Sequence, residues 1–156
     1  MLLQRDVGRT CGECNACCKP FKVPEVDKND ANWCKHCILG NGCAIYRDRP
    51  LACQLYACMW LNGFGTDDFR PDRLGVILDS EDFQLPDRMV GVLHFLEVRE
   101  GALGQSIIEE IAGLNLEQGA AIEYHQISGD TDIKSLRVRR RFFSTEETKM
   151  IQNRRK

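Results

Sequence analysis

The stretch Cys11-Gly12-Glu13-Cys14-Asn15-Ala16-Cys17-Cys18-Lys19-Pro20 decides how the first third of the chain is read. It holds two overlapping Cys-x-x-Cys spacings and an adjacent cysteine pair. A Cys-x-x-Cys turn directs both sulfurs, and some backbone N–H groups, toward one metal. The longer series Cys-x-x-Cys-x-x-Cys matches the first three ligands of bacterial-type iron–sulfur sites, where a remote cysteine before proline often completes the set. Here Cys18-Lys19-Pro20 follows, so the match is partial. Cys17 and Cys18 point different ways on most backbones, which leaves one of them for a second metal or a supporting role.

Working outward, Cys34-x-x-Cys37 comes next, then Cys43, Cys53 and Cys58. All nine cysteines precede residue 59, and the remaining 98 residues contain none. A disulfide framework needs an oxidising compartment. The start Met1-Leu2-Leu3-Gln4-Arg5-Asp6 does not read as a secretory signal, and an odd count fits disulfide pairing poorly. Buried cysteines pack singly as small apolar groups, but nine at short polar spacings do not look like core. Metal ligation is the expectation that is left.

The rest of the composition is ordinary. Hydrophobic residues make up 43% of the 156 and charged residues 28%, as in soluble globular proteins. The net charge of −2 gives no reason to expect nucleic acid as a partner. No apolar run approaches the ~20 residues that cross a bilayer. A cytoplasmic location is expected, with a metal ion as the principal partner and a protein partner as an open alternative.

Charge divides the chain into three stretches. Residues 1–72 carry 9 basic and 9 acidic residues and every cysteine; residues 73–136 carry 4 and 12; residues 137–156 carry 8 and 2. The expected organisation is a Cys-rich metal-binding module over 1–72, an α+β part over 73–143 and a basic helix or tail over 144–156. The α+β part is free to pack as one domain with the module.

The module reads as loop, punctuated by Gly12, Pro20, Pro24, Gly40 and Gly42, with one helix. Asp48 is a suitable N-cap and Pro50 suits a first turn. Leu51 to Leu61 then favours helix up to Asn62-Gly63. Cys53 falls in that first turn, where the helix dipole would stabilise a thiolate. Cys58 lies five residues on, so sharing a metal with Cys53 requires the helix to distort or to end before Cys58.

Farther on, Leu74-Gly75-Val76-Ile77-Leu78 and Met89 to Val98 read as strands joined by a hairpin-like link. Leu103, Ile107, Ile108, Ile111 and Leu114 fall on one helical face. Ala120 to Ile127 and Leu136 to Phe143 are further strands about a turn at Gly129-Asp130. Ser144-x-x-Glu147 is a capping box opening a last helix. The fold class expected is α+β.

The pattern Cys11-x2-Cys14-x2-Cys17-Cys18, then Cys37-x5-Cys43-Ala44-Ile45-Tyr46-x2-Arg49-Pro50-x2-Cys53-x4-Cys58, resembles the YkgJ-type cysteine-cluster family, a zinc- or iron-chelating domain with eight characteristic cysteines. The resemblance covers roughly residues 11–60. It implies Cys11, Cys14, Cys17, Cys18, Cys37, Cys43, Cys53 and Cys58 as ligands, with Cys34 as an extra. The last spacing departs from the family pattern, so Cys58 is the ligand least supported by it. Flagellin lysine N-methylase is similar in its cysteine pattern, which points to an iron–sulfur cluster. No methyl-donor site is legible here, and that activity is not carried over.

Other residues invite a role. His36 sits between Cys34 and Cys37 and reads as an exposed loop histidine. His94 and His125 read as structural, since no carboxylate–histidine pairing is visible. Arg47 and Arg49 are placed to offset thiolate charge. Trp33, Tyr46 and Trp60 flank cysteines and would shield the site from water. Arg137 to Arg141 and Arg154-Arg155-Lys156 read as a solvated basic face.

Three functions are compatible with these residues: an iron–sulfur protein with a redox or cluster-dependent role, a structural zinc module that presents the α+β part to a partner, or a metal carrier. Eight thiolates divide into two four-cysteine zinc sites as readily as they hold clusters. No Ser/His/Asp set, paired carboxylates or phosphate-binding glycine loop marks an enzyme.

Overall fold

In the computed structural model, residues 8–128, 132–139 and 144–153 are described. The chain is α+β. A cysteine-rich loop region carries a two-stranded ladder, β1 (Cys37–Ile38) and β2 (Gly42–Cys43), and a short helix α1 (Leu51–Leu55). A second short helix α2 (Pro71–Leu74) leads into a four-stranded sheet. Its strands are β3 (Val76–Gln84), β4 (Met89–Glu97), β5 (Ala121–Ser128) and β6 (Asp132–Arg139), in sequence order. Helix α3 (Ser106–Glu117) connects β4 to β5, and α4 (Thr145–Asn153) follows the sheet.

β3 pairs antiparallel with β4, β4 parallel with β5, and β5 antiparallel with β6. The parallel pair needs the long α3 crossover, whereas antiparallel neighbours manage with short turns. The hairpin-like link between β3 and β4 is as expected, closed by Leu85 N–H donating to Arg88 C=O at 2.8 Å.

β3 is longer than its apolar run. Pairing with β4 carries it through Gln84, opposite Met89. Leu74 belongs to α2 instead, because Gly75 adopts φ 77° and returns its N–H to Pro71 C=O at 2.8 Å. A left-handed residue at that point stops a helix, and glycine reaches it without strain. A Cβ on Gly75 would also meet the Ala102 Cβ at 2.9 Å.

The buried face of α3 is Ile108, Ile111, Ala112 and Leu116. Leu114 is 62% exposed, against expectation. At 3.6 residues per turn it stands about 200° from both Ala112 and Leu116. Leu103 precedes the helix in a 3-10 turn, Ala102–Gly104. The capping box forms: Ser144 N–H donates to Glu147 Oε2 at 2.7 Å and Glu147 N–H to Ser144 Oγ at 3.1 Å.

Alternation along the strands gives the sheet two faces. On one, Val76, Leu78, Leu93, Phe95, Ile122 and Tyr124 pack with α3. On the other, Ile77 and Leu96 pack with Ala16, Cys14, Cys17, Phe21, Tyr56 and Cys58. Farther along that face Val92 and Ala121 meet Ile151 of α4. The cysteine-rich loops are thus seated directly on the sheet. β6 begins four residues earlier than expected. The Gly129-Asp130 turn, residues 140–143 and Arg154-Arg155-Lys156 lie outside the described residues, as do the side chains of β6. No helix among the described residues is long and apolar enough to cross a membrane.

Candidate metal centre

The first cysteine loop is shaped by its own turns. Cys14 N–H donates to Cys11 C=O at 2.8 Å, and Cys18 N–H to Asn15 C=O at 2.9 Å, through a 3-10 turn over Ala16–Cys18. Asn15 Nδ2 donates to Ile38 C=O at 3.0 Å, tying this loop to the β1–β2 ladder. A Cβ on Gly42 (φ 94°) would meet Gly12 C=O at 2.9 Å, so the two loops touch backbone to backbone there. Cys37 and Cys43 are register partners in the ladder. Cys34 N–H donates to Cys18 C=O at 3.0 Å, and Cys37 N–H to Cys34 C=O at 2.9 Å.

The expected helix through Leu61 is only five residues long. α1 is flanked by Pro50, not capped by Asp48, and ends at Tyr56, whose backbone is extended. The chain then lies along the sheet, with Met59 N–H donating to Leu78 C=O at 2.9 Å. The helix therefore ends before Cys58, and Cys58 turns toward the first cysteine loop. Burial, and then the neighbouring Cys18 and Cys34 thiols, push the Cys53 thiol up, while Arg49 pulls it down.

All nine cysteines are half-buried and free. Seven line one cavity of about 260 Å³: Cys11, Cys14, Cys17, Cys18, Cys34, Cys43 and Cys53. Cys58 lines a smaller adjoining cavity of about 40 Å³ together with Cys11, Cys14, Cys17 and Cys53. Cys37 lines neither, but its thiol is hydrogen-bonded to Cys18. Among the nine sulfurs, no three lie within 4.8 Å of one another.

Mutual electrostatics sort the thiols into two sets. Cys17 is influenced by Cys11 and Cys14, Cys14 by Cys58, and Cys58 by Cys11. Cys37 and Cys53 are influenced by Cys18, Cys34 and Cys43. The adjacent pair joins the sets, with the Cys17 S–H donating to the Cys18 sulfur.

The thiols differ in proton affinity for identifiable reasons. Burial pushes Cys14 up to about 11, although the Ala16 N–H favours its thiolate. Burial likewise raises Cys37 to about 12 and raises Cys58, which the Leu61 and Trp60 N–H groups oppose. The hydrogen bond to Cys18 raises Cys17 most of all. That bond brings Cys18 down to about 7 against its burial, helped by the hydrogen bond from Cys37 and by Lys28 and Arg49.

Two cations serve the site. Arg49 lies on the wall of both cavities, and its Nε is buried with no hydrogen-bond partner. Its guanidinium stands 3.8 Å from the Tyr46 ring. Arg47, expected to share this task, is exposed. Lys28 does so instead. It is buried, donating to the backbone carbonyls of Lys19 and Asn29 at 3.0 Å each and also to that of Phe21. No sequence spacing marks Lys28, because the loop Val23–Lys28 folds it inward through a single β-bridge.

The aromatic shield differs from expectation. Trp60 is buried, lines the smaller cavity and donates from Nε1 to Thr66 C=O at 3.1 Å. Arg9 stacks on it at 4.9 Å. Trp33 is 40% exposed and Tyr46 is exposed as well. Phe21 and Tyr56, with ring centroids 4.7 Å apart, line the larger cavity together with Tyr46, whereas Trp33 does not line it. His36 is half-buried on the cavity wall, not an exposed loop residue.

His94 and His125 are likewise not isolated. His94 Nδ1 lies 3.1 Å from His125 Nε2 and 3.2 Å from Glu123 Oε2. The expectation that they lack carboxylate partners is corrected by strand pairing: parallel β4 and β5 set His94 opposite Glu123 and Leu96 opposite His125. Within β5 the spacing Glu123-x-His125 puts both polar residues on one face, but it does not show that His94 of β4 lies beside them.

No protein-family model, no curated protein and no solved structure matches this chain.

Proposed function

We propose that the chain is an iron–sulfur protein that holds its metal through two neighbouring thiolate sets. Cys11, Cys14, Cys17 and Cys58 form one. Cys18, Cys37, Cys43 and Cys53 form the other, with Cys34 beside them. The observation that carries this reading is the convergence of eight half-buried thiols on two adjoining cavities, with the ninth, Cys37, hydrogen-bonded to Cys18 of that group. A cavity walled by that many thiols offers a metal its donors, and the neighbouring cations would offset the thiolate charge.

Sulfur spacing favours a cluster over single ions. A tetrahedral zinc ion with Zn–S bonds of about 2.3 Å needs sulfurs about 3.8 Å apart. No three of the sulfurs here are gathered that closely. In a polynuclear cluster different thiolates bind different irons, which spreads the sulfurs. The donors fit as well: the buried Arg49 Nε lacks an acceptor, and backbone N–H groups face Cys14 and Cys58. Cluster sulfur accepts such bonds, and they tune its potential. The YkgJ-type resemblance supports the same reading. A structural zinc module is the second reading; the even division into two sets of four favours it.

Anaerobic purification with elemental analysis and an absorption spectrum tests the proposal. Iron with matching sulfide and a broad band near ~400 nm is the expected result. A colourless chain with about two zinc ions establishes the zinc module instead. Cys58→Ser is expected to remove metal from the first set alone, and Cys34→Ser to leave the metal content unchanged.

A further inference from the structure

We propose a second, sulfur-free metal site on the sheet, in which His94, Glu123 and His125 bind a zinc ion. All three side chains are buried on the face that the cysteine loops and α4 cover at its two ends. Their candidate donor atoms form a triangle: His94 Nδ1 to His125 Nε2 3.1 Å, His94 Nδ1 to Glu123 Oε2 3.2 Å, His125 Nε2 to Glu123 Oε2 3.6 Å. A tetrahedral ion with bonds of 2.0–2.1 Å spans ligand pairs about 3.3–3.4 Å apart. The three atoms therefore already occupy one face of a zinc tetrahedron, and the fourth vertex is left for water.

Proton counting points the same way. His94 Nε2 lies 3.1 Å from Glu81 Oε1. A neutral imidazole has one N–H and one lone pair. If the proton sits on Nε2 and bonds to Glu81, the Nδ1 lone pair faces both the Glu123 carboxylate and His125 Nε2. If it sits on Nδ1, the Nε2 lone pair faces the Glu81 carboxylate. A second proton on His94 would serve both carboxylates as well, and histidine nitrogen-15 spectra tell that state from a bound cation. A cation at the triangle satisfies all three atoms at once. Glu81 then takes the role of the carboxylate that accepts from the far N–H of a ligating histidine, fixing its tautomer and raising its basicity. The donor set, two imidazoles and one carboxylate, is one that zinc accepts with water as fourth ligand.

The site uses no cysteine, so it stands or falls apart from the iron–sulfur reading. Zinc added to the full chain, purified without oxygen, tests it by zinc-edge X-ray absorption and equilibrium binding. The expected result is one zinc per chain with only nitrogen and oxygen neighbours at about 2.0–2.1 Å. Glu123→Gln and His125→Ala are expected to abolish that binding. Glu81→Gln alters a side chain that is 42% exposed and is expected to leave the fold intact. It is expected to weaken zinc binding 10–100-fold, the usual effect of losing such a carboxylate. Iron content and the ~400 nm band report the cysteine sites separately. A zinc shell made of sulfur would overturn the proposal, as would zinc binding equal in wild type, Glu123→Gln and Glu81→Gln. So would histidine nitrogen-15 spectra that show His94 doubly protonated and indifferent to zinc.

Discussion

The cysteine loops and the sheet they sit on are ordered by different means. In the sheet, Val76, Ile77, Val92, Phe95 and Ile122 are completely buried, and nine-residue strands β3 and β4 run in continuous register. In the loops the longest helix has five residues, the strands have two, and Ala16, Val23 and Ala31 are the buried apolar side chains among the described residues before residue 59. Burying apolar area contributes roughly 25 cal/mol per Å², and three small side chains supply little of it. The contrast teaches that the sheet is held by its apolar core, whereas the loops have little core of their own; on the proposed reading they depend on what their thiols bind.

Removing metal should break this comparison open most widely. In structural zinc peptides, metal binding supplies about 10–16 kcal/mol of folding free energy. Treating the anaerobic chain with a strong chelator is therefore expected to abolish amide protection across residues 9–58 while β3, β4 and β5 keep theirs, as read by hydrogen exchange. Equal loss in both regions would mean that the sheet relies on the metal too.

The converse perturbation is Phe95→Ala. Phe95 is completely buried against Tyr124, ring centroids 5.4 Å apart. Such truncations cost about 3–5 kcal/mol. The expected outcome is a lower denaturation midpoint for the sheet, with metal per folded chain unchanged.

A pH titration sharpens the contrast further. Cys14 rises from 9.0 to about 11 and Cys37 to about 12, and Cys53 and Cys58 are also raised. A thiol whose folded pKa is raised gives stability that is fully present below the unfolded value and is lost as pH climbs through the folded one. Cys18, lowered to about 7, works in the opposite sense but is one group against several. Whatever fraction of the metal-free loops stays folded should therefore shrink between about pH 9 and 12, and the loaded chain, whose thiolates carry no protons, should not respond. Thermal melts of the two forms read the difference. The smallest effect is expected at the far end of the sheet: Ser144→Ala removes one arm of the α4 capping box and should cost about 1 kcal/mol without touching metal content.

What the sequence made legible follows the same division. The sheet could be read because apolar runs announce strands: Met89 to Val98 matches β4, and Ala120 to Ile127 matches β5, each within a residue or so. β3 extends beyond its apolar run because its second half is set by hydrogen bonding to β4, not by burial. The short spacings announced the thiols, but not how they are shared. Cys58 joins Cys11 and Cys14 only because the chain leaves α1 early and runs along the sheet. Lys28 and the His94–Glu123–His125 group were hidden for a related reason. Each depends on a pairing between segments, and a parallel register between strands separated by a whole helix leaves no local trace.

The account rests on metal bound by the thiols that converge before residue 59. Iron-edge X-ray absorption of the anaerobically purified chain measures this most directly. The account predicts a sulfur shell at about 2.3 Å with a short iron–iron distance beyond it. A folded chain without iron, or iron surrounded only by nitrogen and oxygen, would contradict it.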